Sequence, residues 1–95
     1  MMLSVIDATY LGDYKIVLMF NDKNTGVANL RDVMFIDNRV PFLELRDENE
    51  FKKFKIEHDT LVWENSLDLA PEFLFFEAFK KSPEFQEQFK TWGCK

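Results

Sequence analysis

The chain has one histidine, His58, and it lies between Glu57 and Asp59. An imidazole beside carboxylates is suited to proton transfer near neutral pH. No serine or cysteine nucleophile accompanies it at a recognisable spacing, and His58-Asp59 reads as a tight, exposed turn. Cys94, beside the C-terminus, is the one cysteine. An intrachain disulfide is therefore excluded. A single histidine and a single cysteine do not assemble the ligand set that zinc usually needs. Asp47, Glu48 and Glu50 gather carboxylates, but without the glycine and terminal glutamate of a calcium-binding loop, so they read as helix capping and surface charge. Gly12, Gly26 and Gly93 stand apart from one another, which leaves no phosphate-cradling loop. These residues predict a chain that is not an enzyme and holds no metal or cofactor.

Two other constellations point to binding. The segment Asp68-Leu69-Ala70-Pro71-Glu72 offers Asp68 to a ligand or cationic partner, or to backbone N–H groups at the start of a helix. Trp63 offers a stacking surface, or a half-buried core ring next to Leu61 and Val62. Together Trp63 and Asp68 define a candidate pocket for a small molecule or peptide. The aromatic residues make a stronger signal. Of eleven Phe, six fall between residues 73 and 89, with Trp92 just beyond. Phe73, Leu74, Phe75, Phe76, Ala78 and Phe79 go nearly all round one helix, so that helix must be covered on more than one face. The face of Phe85, Phe89 and Trp92 covers it within the chain, or a second chain does. Phe75, Phe79, Phe85, Phe89 and Trp92 are the candidate partner-binding residues. If they bind a partner, aspartates at Phe85 and Phe89 leave a folded chain that no longer associates.

Charge narrows the partners. Seventeen acidic against twelve basic residues give a net charge of −5. Phosphate neutralisation by Lys and Arg dominates nucleic-acid binding. The densest basic cluster, Lys52, Lys53 and Lys55, is interleaved with Glu48, Glu50 and Glu57, so no direct nucleic-acid contact is expected. The acidic balance favours a basic protein partner or self-association. No run approaches the roughly 20 apolar residues of a membrane span. The N-terminus lacks a charged region followed by a long apolar core. A cytoplasmic setting is the default.

The elements that must position these residues follow from periodicity. Met2 to Leu11 reads as a strand, Gly12-Asp13 as a turn, and Tyr14 to Asn21 as a second strand. Tyr14, Ile16, Leu18 and Phe20 share one face of it, and the other face is partly apolar, as in a central strand. Asn21 to Asn24 is a polar turn before a third strand through Arg31. From Asp32 to Phe42 the pattern weakens, Asp37-Asn38-Arg39 is a loop, and Pro41 opens a short element. Asp47 caps one or two helical turns, with Glu50 at the capping-box position. Lys55 to Glu64 forms a second hairpin carrying Ile56, Leu61 and Trp63. Pro71 starts a helix that runs to Lys81, and Ser82-Pro83-Glu84 restarts one.

The order of these elements, with Tyr10-Leu11-Gly12-Asp13-Tyr14, Leu45-Arg46-Asp47 with Phe51, Leu61-Val62-Trp63 and Asp68-Leu69-Ala70-Pro71-Glu72, resembles bacterial domain of unknown function 2442 over about residues 3–76. The chain departs from that pattern in two loops. It has Asn21 to Gly26 where the family usually has an Asp-Gly turn, and Glu64-Asn65-Ser66 where Pro-Asn-Gly is common. The resemblance implies a small α+β fold and, from the family's gene neighbours, an antitoxin-like pairing with another small protein. Members fused to a helix-turn-helix are known, and no such pattern is evident here. The expected architecture is α+β in one domain, residues 1–95. A mostly antiparallel sheet of about five strands has helices packed on one face. A family-like core over residues 1–76 precedes a helical extension over 77–95, which completes a C-terminal helical pair. The expected function is a protein-interaction module.

Overall fold

The computed structural model describes residues 2–92; the side chain of Trp92, and Cys94, lie outside that description. The element order is β1 (Val5–Gly12), β2 (Lys15–Phe20), β3 (Thr25–Asn29), α1 (Arg31–Ile36), α2 (Val40–Glu44), α3 (Glu48–Phe51), β4 (Lys55–Glu57), β5 (Thr60–Val62), β6 (Asp68–Leu69), α4 (Pro71–Phe79), a 3-10 turn (Pro83–Phe85) and α5 (Gln86–Trp92). The fold is α+β, as expected. Among the described residues the strands number six and form two three-stranded antiparallel sheets, β1-β2-β3 and β4-β5-β6, where about five strands in one sheet were expected. Three short helices lie between β3 and β4 in the chain, and the two ladders meet where the Val5 N–H donates to the Asp59 carbonyl at 2.8 Å. The extra strand, β6, is two residues long. It pairs with β5, and the Thr60 hydroxyl donates to the Leu69 carbonyl.

Turn chemistry sets the strand pairing. Asp13 and Tyr14 both have positive φ between the paired residues Gly12 and Lys15, and His58 and Asp59 do the same between Glu57 and Thr60. Two successive residues with positive φ make the turn whose twist matches antiparallel strands. β2 is the central strand of its sheet. Its residues Ile16, Leu18 and Phe20 are fully buried, and Tyr14 joins them from the turn.

Helix α4 lies against β3. A Cβ on Gly26 would stand 2.7 Å from Cε1 of Phe79 and 3.3 Å from Cβ of Ala78, so only a hydrogen allows that approach. Phe20 meets Phe75 edge-on at 5.0 Å. The second C-terminal helix then folds over the first. Phe85 lies 5.0 Å from Phe75 and 4.9 Å from Phe79, and Phe89 lies 5.1 Å from Phe76. Edge-to-face contacts of this kind are the favoured way to pack many rings together.

Of the two ways to cover the aromatic tail, the one within the chain is seen for Phe75, Phe79, Phe85 and Phe89. Phe75, Phe79 and Phe89 are buried in the same core cluster as Phe20, and Phe85 is partly buried against it. The helical extension is a wall of the core, because its rings find partners within the chain. Phe89 is 2% exposed. Phe89→Ala is expected to cost about 3–5 kcal/mol by leaving a cavity. Phe85→Asp with Phe89→Asp is expected to unfold the chain, since it buries unpaired charge. Denaturant titration followed by circular dichroism measures both.

Candidate functional site

The segment from Leu45 to Phe51 is where separate parts of the chain converge. Leu45 and Phe51 are buried. Between them, the Arg46 guanidinium reaches back to α1. Its Nε donates to the Met34 carbonyl at 2.8 Å, and its Nη2 donates to the Phe35 carbonyl at 2.9 Å and to Asn38 Oδ1 at 3.0 Å. The last carbonyls of a helix have no partner within it, and a cation there also suits the helix dipole. The same guanidinium sits 5.4 Å from the centre of the Phe35 ring. The Arg46 carbonyl accepts the Tyr14 hydroxyl. Asp47 caps α3 by accepting the Asn49 N–H at 2.9 Å. Glu50 turns outward to Lys53 at 3.2 Å, so the capping box is only half made.

Glu48 ties the first hairpin to the same place. Its Oε1 accepts the Tyr10 hydroxyl at 2.7 Å and the Asp13 N–H at 2.9 Å. The Phe51 ring meets Tyr14 edge-on at 5.2 Å, and the Phe51 carbonyl accepts the Trp63 indole N–H at 2.8 Å. The hydrogen bonds from Tyr10 and then Asp13 hold the Glu48 carboxyl below its ordinary range. Burial, and then the bond to Glu48, push the Tyr10 hydroxyl up.

The candidate pocket residues separate. Trp63 is 5% exposed, with its polar edge satisfied, and borders a hollow of about 250 Å³ shared with Glu50, Lys53 and Asn65. Asp68 is exposed on β6 and borders a different hollow of about 340 Å³ with Arg39, Phe42 and Leu67. The two residues thus border separate hollows, with Ser66 at a φ of 72° in the loop between them. Asp68 does not cap the following helix; Ala70 holds that position. His58 is exposed in its turn. Among the described residues, no group of three or more His, Cys, Asp or Glu is placed to hold a metal ion.

The surface that sequence reasoning missed lies on the helical hairpin of α1 and α2. Ile36, the last residue of α1, is 76% exposed, and Val40, the first of α2, is 66% exposed. Phe35 and Leu43 are exposed beside them. Val40 and Leu43 are three apart, so they share one side of their helix. Between the helices, Arg39 grips Asp37 through Nη2 to Oδ2 at 2.6 Å. That bond holds the Asp37 carboxyl below its ordinary range. A detectable signal was present in the sequence. Apolar residues recur in a stretch with no clear period, and the chain's three arginines, Arg31, Arg39 and Arg46, all fall within it.

Two outcomes follow for this region. Arg46→Met is expected to lower stability by about 1–3 kcal/mol, and Arg46→Lys to recover only part, since an ammonium lacks the fork. Urea titration reads both. The pH dependence has two limbs. The Glu48 contribution is present above the ordinary glutamate pKa of about 4.3 and is lost as pH falls through the lower folded value. The Tyr10 contribution is present below about pH 10 and is lost as pH rises through the raised folded value. Melting temperature against pH is expected to lose part of its acid limb in Glu48→Gln and part of its alkaline limb in Tyr10→Phe.

Among the described residues, no helix is long and apolar enough to cross a membrane. No curated protein and no solved structure matches the chain. The model of a family described as protein of unknown function (DUF2442) matches residues 5–80, a stretch that holds the Arg46 clamp, β5 with Trp63 after it, and all of α4. The chain belongs to the DUF2442 family.

Proposed function

We propose that this chain is a non-enzymatic protein-interaction module that docks another polypeptide on the α1–α2 hairpin. The observation that carries the reading is the exposure of Ile36 and Val40, where α1 ends under the Arg46 clamp and α2 begins. Exposed apolar patches of this kind mark interaction sites more often than they decorate a surface. Arginine and aromatic residues, which surround these two positions, are enriched at binding hot spots. The C-terminal helices, first considered for this role, spend their rings on one another. An antitoxin-like version, in which the docked chain is a neighbouring small protein, has only the family resemblance behind it. A cytoplasmic setting belongs to the same proposal, since one cysteine asks for no oxidising compartment. The alternative, a small-molecule or peptide site near Trp63 and Asp68, is weakened by the separation of those residues into two hollows.

The test uses the full chain, tagged and expressed in its native host. Ile36→Asp with Val40→Asp is expected to keep the wild-type melting temperature within a few degrees, because both positions are exposed. The same variant is expected to lose whatever protein the wild type carries through purification. A folded variant that retains that protein at wild-type yield sinks the proposal.

A further inference from the structure

We infer that β6 is a docking edge for an extended peptide of the pattern apolar–basic–apolar, which pairs with it as an added antiparallel strand. The site uses Asp68 without Trp63, and it does not depend on the exposed tip of the α1–α2 hairpin.

The backbone leaves this edge open. The Leu67 carbonyl accepts the Trp63 N–H at 2.9 Å, and the Leu69 carbonyl accepts the Thr60 hydroxyl. Both carbonyls therefore point towards β5. Across a trans peptide the N–H points the opposite way, so the N–H groups of Asp68 and Ala70 point away from β5. The register sets Val62 opposite Asp68 and Leu61 opposite Leu69. Opposed residues alternate between exchanging hydrogen bonds and not, so the Asp68 carbonyl also points outward. β6 is the last strand of its sheet, and among the described residues these three groups have no hydrogen-bond partner. Unpaired edges are usually guarded. In β1 the Val5 N–H is taken by the Asp59 carbonyl and the Ala8 N–H by Asp7 Oδ1 at 2.9 Å. β6 has no such guard.

There is room beside it. Residues 67–70 form one wall of the hollow of about 340 Å³, and Arg39, Pro41 and Phe42 form the other. That volume is in the range of ligand pockets, and a paired strand needs a spacing of only about 4.8 Å. Phe42 and Leu69 are buried and Leu67 is half-buried, so the apolar lining is ordered before a peptide arrives.

Asp68 sets the sequence of the guest. Its carboxylate is exposed and has no ion pair or hydrogen bond among the described residues. Arg39, the cation of the opposite wall, is already held by Asp37 at 2.6 Å. The site is left with one unmatched carboxylate in a chain of net charge −5. Directly opposed residues of antiparallel strands share a face, so a Lys or Arg opposite Asp68 meets that carboxylate. Its two neighbours point to the other face, that of Leu67 and Leu69, and are apolar. A free amine meets Asp68 but leaves the backbone groups unpaired. An acidic strand meets the backbone groups but repels Asp68.

Amide-resolved NMR titration of the full chain with the peptide acetyl-Thr-Val-Lys-Val-Thr-amide tests this. The N–H resonances of Asp68 and Ala70 are expected to move downfield as they gain carbonyl partners. The same peptide N-methylated at its lysine lacks the N–H that meets the Asp68 carbonyl, and is expected to bind at least about tenfold more weakly. Asp68→Asn, at an exposed position, is expected to keep the wild-type melting temperature and to weaken the lysine peptide roughly two- to fivefold. The modified peptides leave the protein untouched, so they decide the matter even where that variant unfolds. A lysine peptide that leaves the Asp68 and Ala70 resonances unmoved overturns the inference. So does an N-methylated peptide, or one with glutamate in place of lysine, that binds as tightly as the lysine peptide. n-Butylammonium that gives the same shifts at the same concentration shows a cation site without strand pairing, and overturns it too. Ile36→Asp is expected to leave the peptide affinity unchanged. Loss of the peptide in that folded variant places it on the α1–α2 hairpin, which overturns the β6 pairing and leaves the hairpin reading standing.

Discussion

The rest of the structure depends on how Arg46 is held. Its guanidinium closes the open end of α1, and its carbonyl receives the Tyr14 hydroxyl from the first hairpin. Two residues on, Glu48 takes the Tyr10 hydroxyl and the Asp13 N–H of that same hairpin. Five residues on, the Phe51 carbonyl takes the indole of Trp63, the residue that follows β5 of the second sheet. A six-residue helix such as α1 is too short to be stable by its own hydrogen bonds. It is held by the burial of Met34 and by the Arg46 side chain, which meets carbonyls the helix cannot satisfy itself. The two small sheets are likewise joined through this segment as much as through the Val5–Asp59 bond. The family-like motif Leu45-Arg46-Asp47 with Phe51 is therefore architectural, and each of its members has a local physical task.

The second organising constraint is the number of rings. Fifteen aromatic side chains must be placed in a chain of 95 residues, and twelve of them fall into two groups. The chain divides them. Tyr10, Tyr14, Phe35, Phe51, Phe54 and Trp63 gather around the Arg46 segment, and Phe20, Phe75, Phe76, Phe79, Phe85 and Phe89 gather beneath the C-terminal helices. Both groups rely on edge-to-face contact, which relieves the crowding that stacked faces would cause. Gly26 matters for the second group, because it lets α4 approach β3 closely enough for Phe79 to enter.

Features encoded by neighbouring residues were legible in the sequence. The hairpin turns, the central position of β2, the Asp47 cap, the start of α4 at Pro71 and the restart after Ser82 each depend on residues a few positions apart. Features encoded across the chain were not. Helix α1 fell in a stretch with no period because its stability comes from Arg46. β6 is two residues long and owes its pairing to Thr60 and β5. The aromatic faces of α4 and α5 were readable as apolar, but their mutual coverage is a matter of helix placement, which spacing within each helix does not encode. The surroundings of the candidate pocket residues were equally out of reach. Trp63 and Asp68 are close in sequence, yet they border different hollows, with the left-handed Ser66 between them.

The exposed hairpin follows from the clamp that holds it. A helix end normally discourages docking, because its free carbonyls need water and lose it when covered. At α1 those carbonyls are met from inside by Arg46, whose guanidinium is also packed on Phe35. The two carbonyls that precede Ile36 are thus already met. The Asp37–Arg39 pair does the same for the turn, and the chain resumes with Val40. The segment that secures the fold thereby leaves Ile36 and Val40 exposed beside polar groups that already have partners. In the proposed docking, covering them strands few of those groups.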